Sequence, residues 1–167
     1  MRRSKLYIWY IINRKDDDYM RISAKGRYGL AAMSYLAANY KNGMAITVLH
    51  ISETMGISKI YLEQVFSLLK RAGLVISIKG SQGGYFLNRE PNSITAYDVL
   101  TAIEIAMVEK TDSTVEEKQP LLDKAMQEIV FSQLDDAVKS CLEEITLEDI
   151  LNNVEKQKEP DNLMYFI

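Results

Sequence analysis

The chain has 167 residues, 47% of them apolar and 26% charged, with a formal net charge of −3. That length suits one domain with an appendage or two small domains, and the near-average composition excludes a wholly disordered chain. A single cysteine, Cys141, excludes an internal disulfide and any site built from several thiolates, and the lone histidine, His50, has no second histidine to pair with.

Residues 1–19, MRRSKLYIWYIINRKDDDY, join a basic stub, an aromatic run and a charge block without a clear period. The apolar run Leu6–Ile12 is far shorter than the roughly 20 residues of a membrane span, and no small-residue cleavage site follows it. Regular patterning begins at Met20, which reads as the working start with an upstream extension before it. The competing reading is an amphipathic arm that packs or binds membrane.

Ser23 is placed to cap a helix, and Tyr28, Leu30, Ala31, Ala32, Met33, Tyr35, Leu36 and Tyr40 predict a long one closed at Gly43. Thr47 caps a short predicted helix, VLHISETM, which Gly56 ends. Ser58 is the N-cap candidate of the next helix, whose predicted apolar face is Ile60, Tyr61, Val65, Leu68 and Leu69 and whose stop is Gly73. Short helix, glycine turn and longer helix is the pattern of a helix-turn-helix.

Two β-prone runs, LVISI and YFLN, then flank the tip KGSQGG. A core hairpin needs only two turn residues, so a longer glycine-rich tip beside a lysine reads as a projecting wing. Thr95 caps the predicted helix TAYDVLTAIEIAM, with Asp98 at the capping-box position. Residues 109–119 are polar and loop-like, and Pro120 suits a first helical turn. From Leu121 to Ile145 a broad apolar stripe predicts a long helix wider in its apolar face than a small domain can cover. Its partner is expected to be a second copy of the chain, through Leu122, Met126, Ile129, Val130, Leu134 and Val138. Cys141 lies on the same stripe and is expected to be core packing rather than a thiol sensor. Thr146 caps a last helix, LEDILNNV, before a polar linker and the apolar end LMYFI. The fold class is therefore mainly α: a winged helix-turn-helix with a small β-hairpin wing and a long C-terminal dimerisation helix.

Residues 1–95 carry 14 Lys/Arg against 6 Asp/Glu, a net of +8, whereas residues 96–167 carry 6 against 17, a net of −11. A basic front and an acidic back assign any polyanion to the front. Catalysis is disfavoured: His50 has no acid–base partner, and the glycine tip lacks the Gly-Lys-Ser/Thr ending and strand–helix setting of a phosphate loop. Double-stranded DNA fits better. The major groove admits one helix, read by its N-terminal residues. Those are Ser58, Lys59, Tyr61, Glu63 and Gln64, with Leu62, Val65, Phe66 and Leu69 left for the core. Glutamine can pair bidentately with adenine and glutamate can accept from cytosine. Lys25, Arg27, Lys59, Lys70 and Arg71 can neutralise phosphates, the first two beside free N–H groups at a helix start. In the wing, Lys79 and Gly80 begin the tip, and Gly83 and Gly84 allow close approach to a backbone.

The segments MRISAKGRYGLAAMSYLA, GISKIYLEQVFSLLKRAGLV, KGSQGGYFL and ITAYDVLTAIE resemble the Rrf-two family of bacterial winged-helix repressors from Met20 to about Glu104. The resemblance implies a homodimer on a partly palindromic operator. It carries Tyr61, Glu63 and Gln64 over as the recognition signature, Lys79 as the basic wing residue, and Lys25 and Tyr28 as first-helix backbone contacts. Lysine in place of the usual wing arginine keeps the charge and loses the planar fork. Members with an iron–sulfur cluster carry three cysteines after ITAYDVLTAIE, whereas residues 105–120 here hold neither Cys nor His. No cofactor and no metal are therefore expected, and the chain looks like the cluster-free, cysteine-metabolism branch. That branch implies cysteine synthase (O-acetylserine thiol-lyase) as a regulatory partner; the single cysteine fits a reducing cytoplasm, and no membrane association is expected. The expected organisation is an extension over 1–19, a DNA-binding domain over 20–107, and an acidic loop, dimerisation helix and tail over 108–167. Two alternatives stand beside it: a family member with other genes and another effector, or a winged helix that docks protein rather than operator DNA.

Overall fold

A computed structural model describes residues 22–80, 83–104, 107 and 115–158. The N-terminal extension, the wing-tip residues Ser81 and Gln82, most of the acidic loop and the LMYFI end lie outside the described residues. The elements are α1 (Ala24–Ala38), a 3-10 turn (Tyr40–Asn42), α2 (Val48–Met55), α3 (Lys59–Arg71), β1 (Val75–Ile78), β2 (Gly84–Leu87), a 3-10 turn (Pro91–Ser93) and α4 (Ala96–Ile103). After the loop come α5 (Pro120–Met126), a π-helical turn (Gln127–Phe131), α6 (Ser132–Glu143) and α7 (Leu147–Lys158). No helix among the described residues is long and apolar enough to cross a membrane.

Local chemistry sets most of the boundaries. Ser23 Oγ accepts from Gly26 N at 3.1 Å and Thr47 Oγ1 from His50 N at 3.1 Å, satisfying N–H groups that a helix start leaves open. α1 ends earlier than the pattern predicts, at Ala38, and the chain passes through the 3-10 turn before Gly43 reverses it in the left-handed region. Between α2 and α3 the left-handed Gly56 makes the turn of the helix-turn-helix. Ser58 stands at the N-cap of α3 and makes no side-chain capping bond. At α4, Thr95 Oγ1 accepts from Asp98 N and Asp98 Oδ2 accepts from Thr95 N, the reciprocal capping box.

β1 and β2 pair antiparallel, Val75 opposite Leu87 and Ile78 opposite Gly84. Ile46 adds a short third rung through two backbone bonds with Tyr85, of 2.9 and 2.8 Å. The core lies between α1, α3, α4 and the hairpin. Leu62, Val65, Phe66 and Leu69 of α3 are wholly buried beside Ala32, Met33, Ile51, Ile94 and Val99. The Phe66 and Tyr85 rings meet at 4.5 Å between centroids, locking α3 to the hairpin. Two members of the predicted apolar face of α3 do not join: Ile60 is 69% exposed and Tyr61 47%. Both share the first turn with Leu62, which alone of the three turns into the core.

The chain after the long helix returns to the winged body. Ala96 N donates to Ile145 O at 2.7 Å and Leu147 N to Ile94 O at 3.0 Å, so the starts of α4 and α7 lie side by side. Leu147 is wholly buried in the same core, and α7 packs on α1. Thr146 caps α7 with Asp149, whose Oδ2 accepts from both the Thr146 hydroxyl and its N–H. Those bonds, the hydroxyl's first, hold the Asp149 carboxyl below its ordinary value of 3.8.

Leu147→Ala is expected to lower the unfolding free energy by about 2–5 kcal/mol in urea titration, since it empties a closed core position. Because Asp149 is stabilised as the anion, its contribution is complete above its ordinary value and vanishes as pH falls through the folded one. The stability gap between the unmodified chain and Asp149→Asn should therefore be full at pH 7 and narrow as the solution is acidified below the usual carboxylate range.

Candidate nucleic-acid interface

α3 is divided lengthwise. With Leu62, Val65, Phe66 and Leu69 inward, the residues Ser58, Lys59, Tyr61, Glu63 and Gln64 all stand exposed. Residues four apart share a helix face, and the exposed surface resolves into rows on that rule. Lys59 Nζ lies 3.5 Å from Glu63 Oε1, a solvent-facing ion pair. Beside it, Ile60 and Gln64 form an uncharged row that continues to the exposed Ser67.

The start of α1 is brought to this surface by aromatic contact: the Tyr28 and Tyr61 rings meet edge to face at 6.2 Å. Lys25 is half-buried and Arg27 exposed on the same turn. The α1 terminus is less open than the sequence implies. Ser23 N donates to Glu104 Oε1 at 3.0 Å and Gly26 N is taken by the Ser23 hydroxyl. A carboxylate from the end of α4 thus already sits at the positive end of α1. No sequence signal marks Glu104, which is 81 residues from Ser23.

At the other end of α3, Lys70 Nζ donates to Ser77 Oγ at 2.6 Å, so this lysine braces helix to wing as well as carrying charge. Lys79 and Gly80 are exposed where β1 runs out into the tip. Gly83 and Gly84 answer to the protein's own backbone. A Cβ on Gly83 would lie 2.7 Å from Gly80 O, and one on Gly84 2.6 Å from the carbonyl of Ile46, at a φ of +154°. Their lack of a side chain lets the tip fold back and the third rung close.

The residues expected to dimerise lie on one rod. α5, the π turn and α6 run on with helical dihedrals, and Ser132 N donates to Gln127 O, five residues back. The apolar positions Leu122, Met126, Ile129, Leu134, Val138, Cys141 and Ile145 are spaced four, three, five, four, three and four apart. The single step of five coincides with the π turn, whose wider winding returns the stripe to one side. Along that stripe Leu122 is 52% exposed, Ile129 67% and Leu134 57%, with Val130 beside them at 52%; Met126 and Val138 are half-buried. Cys141 is exposed, not packed in its own chain's core as the apolar setting predicts. His50 is exposed too, its Nε2 3.1 Å from the Tyr35 hydroxyl.

A winged helix whose second helix offers a polar, exposed side beside a projecting hairpin defines the helix-turn-helix transcriptional regulators as a class, not an enzyme. Within that class, the family described as "Rrf2: Iron-dependent Transcriptional regulator" matches residues 22–153, and the chain belongs to it. It is 40% identical to the HTH-type transcriptional regulator CymR of Bacillus subtilis, across 84% of this chain and 96% of that protein. It is 36% identical to the regulator IscR of Pectobacterium atrosepticum, across 81% and 82%. Among solved structures, T. potens IscR superposes with a TM-score of 0.67 at 33% identity, covering 88% of this chain and 97% of that one. The structure of CymR, the global cysteine regulator of B. subtilis, does so with a TM-score of 0.61 at 38% identity, covering 81% and 98%.

Gly84→Ala is expected to cost more than about 1 kcal/mol, because the added methyl meets backbone that cannot step aside. Denaturant unfolding checks the loss, and amide exchange at Ile46 and Tyr85 checks that it is the third rung that opens.

Proposed function

We propose that this chain is a cytoplasmic repressor that binds a partly palindromic operator as a homodimer and controls genes of cysteine and sulfur metabolism. The observation that carries the DNA reading is the lengthwise division of α3, which leaves Lys59, Tyr61, Glu63 and Gln64 exposed to solvent while four apolar neighbours are wholly buried. Gln64 and Glu63 read base edges in the major groove, and Ser58 and Tyr61 contact the duplex beside them. Lys25, Arg27, Tyr28, Lys79 and Gly80 hold backbone phosphates or the flanking minor groove. The winged helix within residues 20–107 supplies this surface.

Dimerisation is assigned to the α5–α6 rod. Its apolar seam is exposed in the single chain, and burying such a stripe against a copy of itself is the commonest solution for a helix of this kind. The seam would also cover Cys141.

The family description names iron, and the donor set here does not suit a cluster. Iron–sulfur clusters are held chiefly by several thiolates, and this chain has one cysteine, which lies on the rod. We therefore read it as cluster-free. The likeness to the B. subtilis global cysteine regulator supports sulfur genes as targets; cysteine synthase as the regulatory partner rests on the sequence resemblance alone.

Gel-shift titration of genomic fragments with the full chain tests the reading: retention should weaken steeply with added salt. Absence of retention on every fragment at low salt would refute it and favour the protein-docking alternative. Gln64→Ala should cost roughly 1–3 kcal/mol on the operator and relax base preference, whereas Lys79→Ala should weaken all duplexes alike and lower the salt slope by about 1. The double substitution Ile129→Glu/Leu134→Glu should give a folded monomer in sedimentation velocity. Point changes suit this test better than truncation before Pro120, which would also remove Leu147 from the core.

A further inference from the structure

Ile60 is the second residue of α3 and keeps 69% of its surface exposed. It does nothing for the fold that a smaller residue would not do better. The packing side of α3 is complete without it, and a β-branched side chain at an exposed helical position loses rotamer freedom and leaves apolar surface in water. Its neighbours give the position meaning. Ile60 and Gln64 are one turn apart on the same face, about 5–6 Å between Cβ atoms, while Glu63 is drawn to Lys59 in the adjacent row. An apolar tip therefore stands directly before a side-chain amide.

The major groove offers one pattern that matches. An A·T pair presents N7 and N6 of adenine to a glutamine, and the C5-methyl of thymine is the apolar feature of the groove edge. With a rise of about 3.4 Å per base pair, one helical turn spans one or two pairs. We propose that Ile60 reads a thymine methyl one or two base pairs from the adenine read by Gln64, and so sets part of the operator sequence. The inference rests on the DNA-binding reading above and adds a specificity-determining residue to it.

The test uses the full chain and a duplex that it selects from a randomised library. Each thymine of that duplex is replaced in turn by deoxyuridine, which removes the methyl group and leaves every hydrogen-bonding edge intact. One thymine in each half-site should weaken the unmodified protein by about fourfold, the value of one buried methyl. Ile60→Ala should bind the parent duplex at least that much more weakly and show no further loss at the same thymine. Alanine is the better helix former, so folding is preserved, and a thermal melt checks it. Equal losses for the unmodified and Ile60→Ala proteins at every thymine would overturn the inference, as would a selected duplex indifferent to all the replacements. Failure to select any duplex would instead strike the DNA-binding reading itself.

Discussion

The burial of four side chains of α3 is the constraint on which the rest depends. Leu62, Val65, Phe66 and Leu69 are wholly inside, and a rigid helix with one side committed has no freedom left in the other. The side that faces water is thereby the side carrying Lys59, Ile60, Glu63 and Gln64. Apolar transfer is large and undirected, whereas a hydrogen bond is small and directional. The first supplies the orientation that the second requires.

The same economy holds the wing. Phe66 packs at a tilt on Tyr85 and Lys70 reaches Ser77, so the hairpin and α3 are fastened at both an apolar and a polar point. Ile46 then closes a third rung on β2. A two-stranded hairpin alone is marginal in water; these contacts give a short one a firm base.

At the far side, the paired caps of α4 and α7 join the two ends of the segment that carries the rod. Thr95 and Thr146 stand opposite each other, each with an aspartate three residues on. The rod between them leaves the winged body and comes back to it, so Leu147 anchors one end of the rod in the core that orients α3. Glu104, at the end of α4, reaches the start of α1. The place where the acidic loop begins is therefore tied by a hydrogen bond to the helix whose first turn carries Lys25 and Arg27.

What the sequence by itself determined is local. Period, caps and glycine turns locate the helices and the two strands among the described residues, and the box Thr95–Asp98 is visible because its partners are three residues apart. The core residues of α3 are visible for the same reason, since spacing reports a face. What only the tertiary structure decided involves residues far apart in the chain or a choice among equal local options. Ser58 has a capping side chain and does not use it. Ile60 and Tyr61 are apolar members of the same first turn as the buried Leu62, yet they stay largely exposed. Gly83 and Gly84 are needed by the hairpin's own backbone, and Cys141 shares an apolar stripe that a single chain leaves uncovered. The step of five residues between Ile129 and Leu134 is present in the sequence, and only the π turn shows that it keeps the seam on one side. Spacing along a helix says which residues share a face. It says nothing of what that face meets, because burial is settled by segments that lie tens of residues away.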